Sequence, residues 1–245
     1  MTSSPRDRAR NETPAARILK SLGALLGGVV AMAVWLDAAL IRVIHALLTA
    51  ESSGVFDTVS DVADARFFGI AALGIYASSL LALSVPVTVH WKHGCERWVR
   101  GSLLMLLTLL TGGFMTLVLK HVVARARPFL LLENGHYGFA APFAGAPFNS
   151  FPSSHAFTAF AVAFVLAGLF PNWRKCLWAL ASIPSICRVL ALEHFPSDVI
   201  MSAVIAAWCV GFWAPRIFAP RSNWPLQRPW HWRRTPVPVT AEQRR

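Results

Sequence analysis

The run SLLMLLTLLTGGFMTLVLK, residues 102–120, carries no charge until its last residue, Lys120. As a helix it rises about 1.5 Å per residue, which brings it close to the ~30 Å hydrocarbon core of a bilayer. Inside lipid every backbone N–H and C=O must be satisfied within the segment, so an apolar run of this length reads as a helix. Comparable runs recur at 18–36, 67–89, 155–171, 176–193 and 198–218, the fourth of these interrupted by Arg188. With 55% hydrophobic residues, 14% charged residues and a mean hydropathy of +0.50, the 245-residue chain is far more apolar than a soluble domain. The expected fold is all-α, a polytopic membrane helical bundle with about six transmembrane helices.

Outside those runs the chain divides simply. Residues 1–17 are polar and basic and are expected to form a disordered cytoplasmic tail, and residues 219–245 form a basic, Pro- and Trp-rich tail. The first apolar run has a rival reading as a cleaved signal peptide, because Ala31-Met32-Ala33 resembles a small-residue cleavage site; the long basic leader and the apolar residues beyond it favour a span. Residues 38–50 place Leu40, Ile44, Leu47 and Leu48 on one face, as in a helix lying in the interface, and an acidic stretch, 51–64, follows. The four cysteines have neither paired CxxC spacing nor the density of a disulfide framework.

The formal net charge of +11 does not point to nucleic acid, because the basic residues lie in short clusters between apolar runs rather than on one folded face. They point to topology. With a cytoplasmic N-terminus, 17 of the 23 Lys and Arg residues fall on one side, and both termini are expected to be cytoplasmic. Six cations break the rule: Arg42, Arg66, Lys120, Arg125, Arg127 and Arg188. Cations retained where insertion disfavours them are candidates for function.

Three stretches carry chemistry. In KHVVARARP, 120–128, Lys120 and Arg127 are seven residues apart, which puts them on one helical face, and Pro128 ends the helix. A snorkelling juxtamembrane cluster is the plain alternative. In PSSH, 152–155, Ser153 or Ser154 caps the following helix, and a helix N-terminus with flanking hydroxyls suits an anion. Capping alone accounts for the serines but not for His155. In CRVLALEHFPSD, 187–198, Pro196 fits a first-turn helical position. His194 then lies just before a helix and Asp198 in its first turn, in reach of a carboxylate–imidazole hydrogen bond that would fix the tautomer.

All three stretches fall at the extracytoplasmic ends of their helices. Three cations and amide donors suit a phosphoryl group, and two histidines suit a division into nucleophile and general acid. No carboxylate cluster suggests a metal, so the cations would do the work of a divalent ion.

Lys120-x6-Arg127-Pro128, Pro152-Ser153-Ser154-His155 and Cys187-Arg188-x5-His194-x3-Asp198 resemble the tripartite signature of the type-2 phosphatidic acid phosphatase superfamily. That superfamily also holds vanadium haloperoxidases and glucose-6-phosphatase. The resemblance makes residues 18–218 a six-helix membrane phosphatase domain with its motifs at 120–198. It implies that Lys120, Arg127, Ser153 and Arg188 bind phosphate, with Ser154 a further candidate. It implies that His194 attacks phosphorus, Asp198 orients it and His155 protonates the leaving group, with no cofactor and no metal. Two positions depart from the pattern: Ser154 stands where glycine is usual, and Cys187 where serine is usual. Neither change removes a charged or nucleophilic group.

The expected substrate is a lipid phosphate, such as undecaprenyl diphosphate or a lipid A phosphate on the outer leaflet of a bacterial inner membrane, and the expected partners are membrane lipids. The loop 129–151, rich in Phe, Gly and Pro, suits contact with a lipid tail or an ordinary surface position. The motif RPWHWRR, 228–234, suits anionic lipid or a plain topogenic tail. A phosphotransferase and a non-catalytic scaffold of the same fold remain the alternatives.

Overall fold

The computed structural model describes residues 14–48, 50–85 and 88–219. The two expected tails, 1–17 and 219–245, lie almost wholly outside these residues. Nine α-helices run in chain order among them: α1 Pro14–Trp35, α2 Asp37–Leu47, α3 Ala50–Ser60, α4 Ala65–Leu83, α5 Val89–Val123, α6 Pro128–Asn134, α7 Ser154–Leu169, α8 Arg174–Leu190 and α9 Pro196–Phe218. A 3₁₀ turn, Asp61–Ala63, links α3 to α4. Among the described residues there is no strand, only an isolated bridge between Arg125 and Phe139.

The local chemistry explains the helix ends around the site. Helix α5 stops at Ala124, which adopts a left-handed conformation at φ 47° and returns its N–H to the Lys120 carbonyl at 3.2 Å. The chain then runs extended through Arg127, and Pro128 opens α6 at a position where its missing N–H costs nothing. Helix α7 is capped by Ser153, whose Oγ accepts from Ala156 N at 3.4 Å. Helix α9 opens on Pro196, and its Asp198 carboxylate reaches back to Phe195 N at 2.9 Å.

Helices α5, α7 and α9 form the centre, with α4 against α5 and α8 against α7. One apolar cluster joins Leu104, Met105, Val165, Leu169 and Val210, and a second joins Phe157, Ala161, Ile205, Ala206 and Cys209. Gly112 lets these helices meet: a Cβ there would lie 2.4 Å from the Phe157 ring and 3.1 Å from the Cys209 sulfur. Phe67, Ile70, Leu110, Phe114 and Leu117 point outward and stay exposed, an apolar girdle that a water-soluble domain would hide.

Gly54–Leu83, His90–Val123 and Pro196–Phe218 are long and apolar enough to cross a membrane, and α1 with α2, bent by 52°, makes a fourth if the pair is one span. The remaining two expected spans fall on α7 and α8, of 16 and 17 residues, below the roughly 20 that a straight crossing needs. Residues 90–100 are the first turns of the 35-residue α5. In α2 the buried residues are Asp37 and Ile41, whereas Leu40 and Leu47 are exposed. Ile44 packs partly against the core, and Asp37 is drawn inward by its buried partner Arg125.

Candidate active site

The three motif stretches converge. Lys120 and Arg127 do not share a helix, because α5 ends four residues before Arg127. They meet through Asn149 instead: Lys120 Nζ donates to its carbonyl at 2.9 Å, and Arg127 Nε donates to its Oδ1 at 2.8 Å. Arg127 Nη1 and Arg188 Nη2 both donate to Glu193 Oε2, the second at 3.4 Å. Arg188 Nη1 also donates to Asp57 Oδ1 at 2.5 Å and Ser60 Oγ at 3.2 Å. Its Nε is buried with no partner among the described residues. Burial, reinforced by the neighbouring Arg188, pulls Arg127 below its ordinary pKa, and Asp57 opposes the shift only in part.

His194 is 2% exposed. Its Nδ1 lies 2.6 Å from the Ser150 carbonyl oxygen, which can only accept, so Nδ1 carries the proton and Nε2 keeps its lone pair. The expected hydrogen bond to Asp198 is not formed: Asp198 Oδ2 is 3.8 Å from Nδ1, beyond hydrogen-bond reach. The reason is that the carboxylate is engaged elsewhere. It accepts from Arg125 Nη1 at 2.5 Å, Ser150 Oγ at 2.6 Å and Phe195 N at 2.9 Å. Ser150 therefore links the two, its hydroxyl on Asp198 and its carbonyl on His194. Burial lowers the His194 pKa to about 4; the nearby Asp198 carboxylate opposes this, while Lys120 and Arg188 add to it. The imidazole is neutral at pH 7.

Arg125, Asn149 and Ser150 were not legible as site residues. Arg125 stood out only as a cation against the topological bias, and Asn149 and Ser150 carry no spacing signal. Arg125 is buried and donates on one side to Ser197 Oγ (2.7 Å) and Asp198, and on the other to Asp37 Oδ2 (2.8 Å) and Tyr137 Oη (2.9 Å). Its guanidinium lies 4.2 Å over the Phe195 ring. Burial works against its charge, but Asp198 and Asp37 outweigh it and hold Arg125 above its ordinary pKa. Asp37 is fully buried and also binds Ser197 N at 3.2 Å.

His155, in the first turn of α7, is partly exposed, and its Nε2 lies 3.5 Å from Asp61 Oδ1. Ser153 serves as the cap, and Ser154 follows as the first helical residue. The segment 57–61 thus touches both Arg188 and His155.

Residues 101–222 match the PAP2 superfamily. Two curated proteins named lipid A 1-phosphatase, from Rhizobium johnstonii and Rhizobium etli, are 40% and 39% identical to this chain over 104 residues. Those residues are 41% of this chain and 41% and 44% of theirs, so the chain spans about two fifths of the length of the curated relatives it matches. The fold is similar to the crystal structure of a transmembrane PAP2-type phosphatidylglycerolphosphate phosphatase from Bacillus subtilis, at a TM-score of 0.53 and 19% identity, covering 81% of this chain and 98% of that one. The apolar girdle and the long apolar helices make the chain an integral membrane protein. Through its residues 101–222 the chain belongs to the PAP2 superfamily.

Proposed function

We propose that this chain is a membrane lipid phosphate phosphatase that works without a metal, through a phosphohistidine at His194. The observation that carries the reading is the pairing of a buried, neutral His194, its Nε2 lone pair free, with the unpartnered buried Nε donor of Arg188 six residues earlier. Lys120, Arg127 and Arg188 bind the phosphoryl oxygens, with the capped N-terminus of α7 adding amide donors. His194 Nε2 attacks phosphorus in line, the bond to the leaving oxygen breaks, and His155 gives that oxygen its proton. In the second step His155 takes a proton from water, the hydroxide attacks phosphorus, and the P–N bond breaks to release phosphate. The positive charge formed on the His194 ring is balanced by Asp198, 3.8 Å away, without proton transfer between them.

The relatives named lipid A 1-phosphatase favour an outer-leaflet lipid A phosphate as substrate over undecaprenyl diphosphate. The positive-inside bias favours a bacterial inner membrane with the site on the extracytoplasmic face. The test is phosphate release from a panel of purified lipid phosphates. His194→Ala and His155→Ala are each expected to lower kcat/KM by about a hundredfold or more. Full activity in either variant ends the proposal. Phosphate released in equal amount to substrate lost separates hydrolysis from transfer to a second lipid.

A further inference from the structure

The cations of the site do not stand alone. Glu193 lies between Arg127 and Arg188, Asp57 is on Arg188, and Asp61 faces His155. Glu193 and Asp57 thus offset Arg127 and Arg188, whereas Lys120 donates only to the Asn149 carbonyl, and Asp61 is the carboxylate that faces His155. Their placement also differs. Glu193 lies on the phosphate side, between the two arginines that would clamp it. The turn that presents it is strained, with Leu192 at φ 58°, and both Glu193 N and His194 N donate to the Arg188 carbonyl, at 3.2 and 3.3 Å. Asp57 and Asp61 come from a different element, the end of α3 and the 3₁₀ turn, and are 52% and 65% exposed. Asp61 borders the side of the site where His155 stands, and Asp57 is held on Arg188.

We propose that Asp61 makes the leaving-group side selective for phosphomonoesters over phosphoanhydrides. The inference rests on the reading of His155 as the general acid. When a monoester is cleaved, the P–O bond breaks toward the alcohol, His155 supplies the proton, and the group that departs past Asp61 is neutral. When a diphosphate is cleaved at its terminal phosphorus, the departing group is itself a phosphate monoester and keeps negative charge after protonation. It must then leave past the Asp61 carboxylate that faces His155. A leaving group that is neutral, or that carries an amine, is favoured by the same charge.

The experiment uses the full chain in detergent micelles with farnesyl monophosphate and farnesyl diphosphate, which share one tail and differ only in the anhydride. Inorganic phosphate release gives kcat/KM for each. Wild type is expected to favour the monophosphate. Asp61→Asn is expected to raise kcat/KM for the diphosphate on the order of fivefold, and Asp61→Lys to raise it further, the size expected for one charge near a protein surface. Asp61 is exposed, so neither variant is expected to unfold the bundle. A wild-type chain that turned over neither ester, or the diphosphate faster, would overturn the proposal. So would an Asp61→Asn variant that lost monophosphate turnover while the diphosphate stayed constant, because Asp61 would then merely position His155. Turnover retained by His194→Ala removes the reading beneath the inference; an inactive His194→Ala with an unmoved substrate ratio removes the inference alone.

Discussion

The Arg125 guanidinium is shared between two fully buried carboxylates, Asp37 and Asp198, and this arrangement makes it the residue with most to lose. Breaking a buried pair from one side leaves an uncompensated charge and costs about 3–5 kcal/mol. Arg125→Gln is therefore expected to lower the midpoint of thermal unfolding in detergent sharply, and a second change, Asp37→Asn, to recover part of the loss. An unaltered midpoint in the single variant would show that the network carries no stability. His194 supplies a pH signature. Its folded pKa of about 4 lies below its ordinary value of 6.5, so the unfolded chain binds the extra proton between those two values. The stability that comes from burying a neutral imidazole is complete above pH 6.5 and is lost as pH falls toward 4. The difference in stability between wild type and His194→Gln should accordingly shrink over that window, and a pH-independent difference would contradict the buried neutral ring.

Among the elements, α5 has the most exacting fit. Gly112 faces the buried Phe157 ring on α7 and Cys209 on α9, and the ring has no flexible end to move aside. Gly112→Ala should destabilise the bundle by roughly 1–3 kcal/mol through overpacking, measured as a lower unfolding midpoint, whereas Gly113→Ala, with open space around it, should not. The apolar period and length of residues 102–120 announce the helix, but not that it begins at Val89 or that it ends in a left-handed Ala124. That ending separates Lys120 from Arg127 and replaces the shared helical face expected from their spacing with a shared partner, Asn149. Local cap chemistry at Ser153, Pro196 and Asp198 was readable because it needs only neighbouring residues. The choice of Ser150 over Asp198 as the partner of His194 was not, because it turns on Arg125, more than seventy residues away in sequence.

At the scale of the whole molecule, the cysteines report which way the bundle faces. Cys176 is exposed at the start of α8, at the far end from Arg188, whereas Cys95, Cys187 and Cys209 are buried. If both termini are cytoplasmic, a membrane-impermeant maleimide should label Cys176 in inverted vesicles and not in right-side-out ones. Labelling in right-side-out vesicles would reverse the topology and put the site on the cytoplasmic face. The sequence by itself determined the membrane class and the helical fold, since length and apolarity act within each segment. It also singled out the candidate site residues, since their types and spacing are local. The tertiary structure alone decided how those residues are held: Arg125 between Asp37 and Asp198, Ser150 between Asp198 and His194, and acids from α3 and the turn after it set against Arg188 and His155. Charges and hydrogen-bond donors buried in a helical bundle take the partner that packing brings within reach, and no spacing along the chain encodes which one that is.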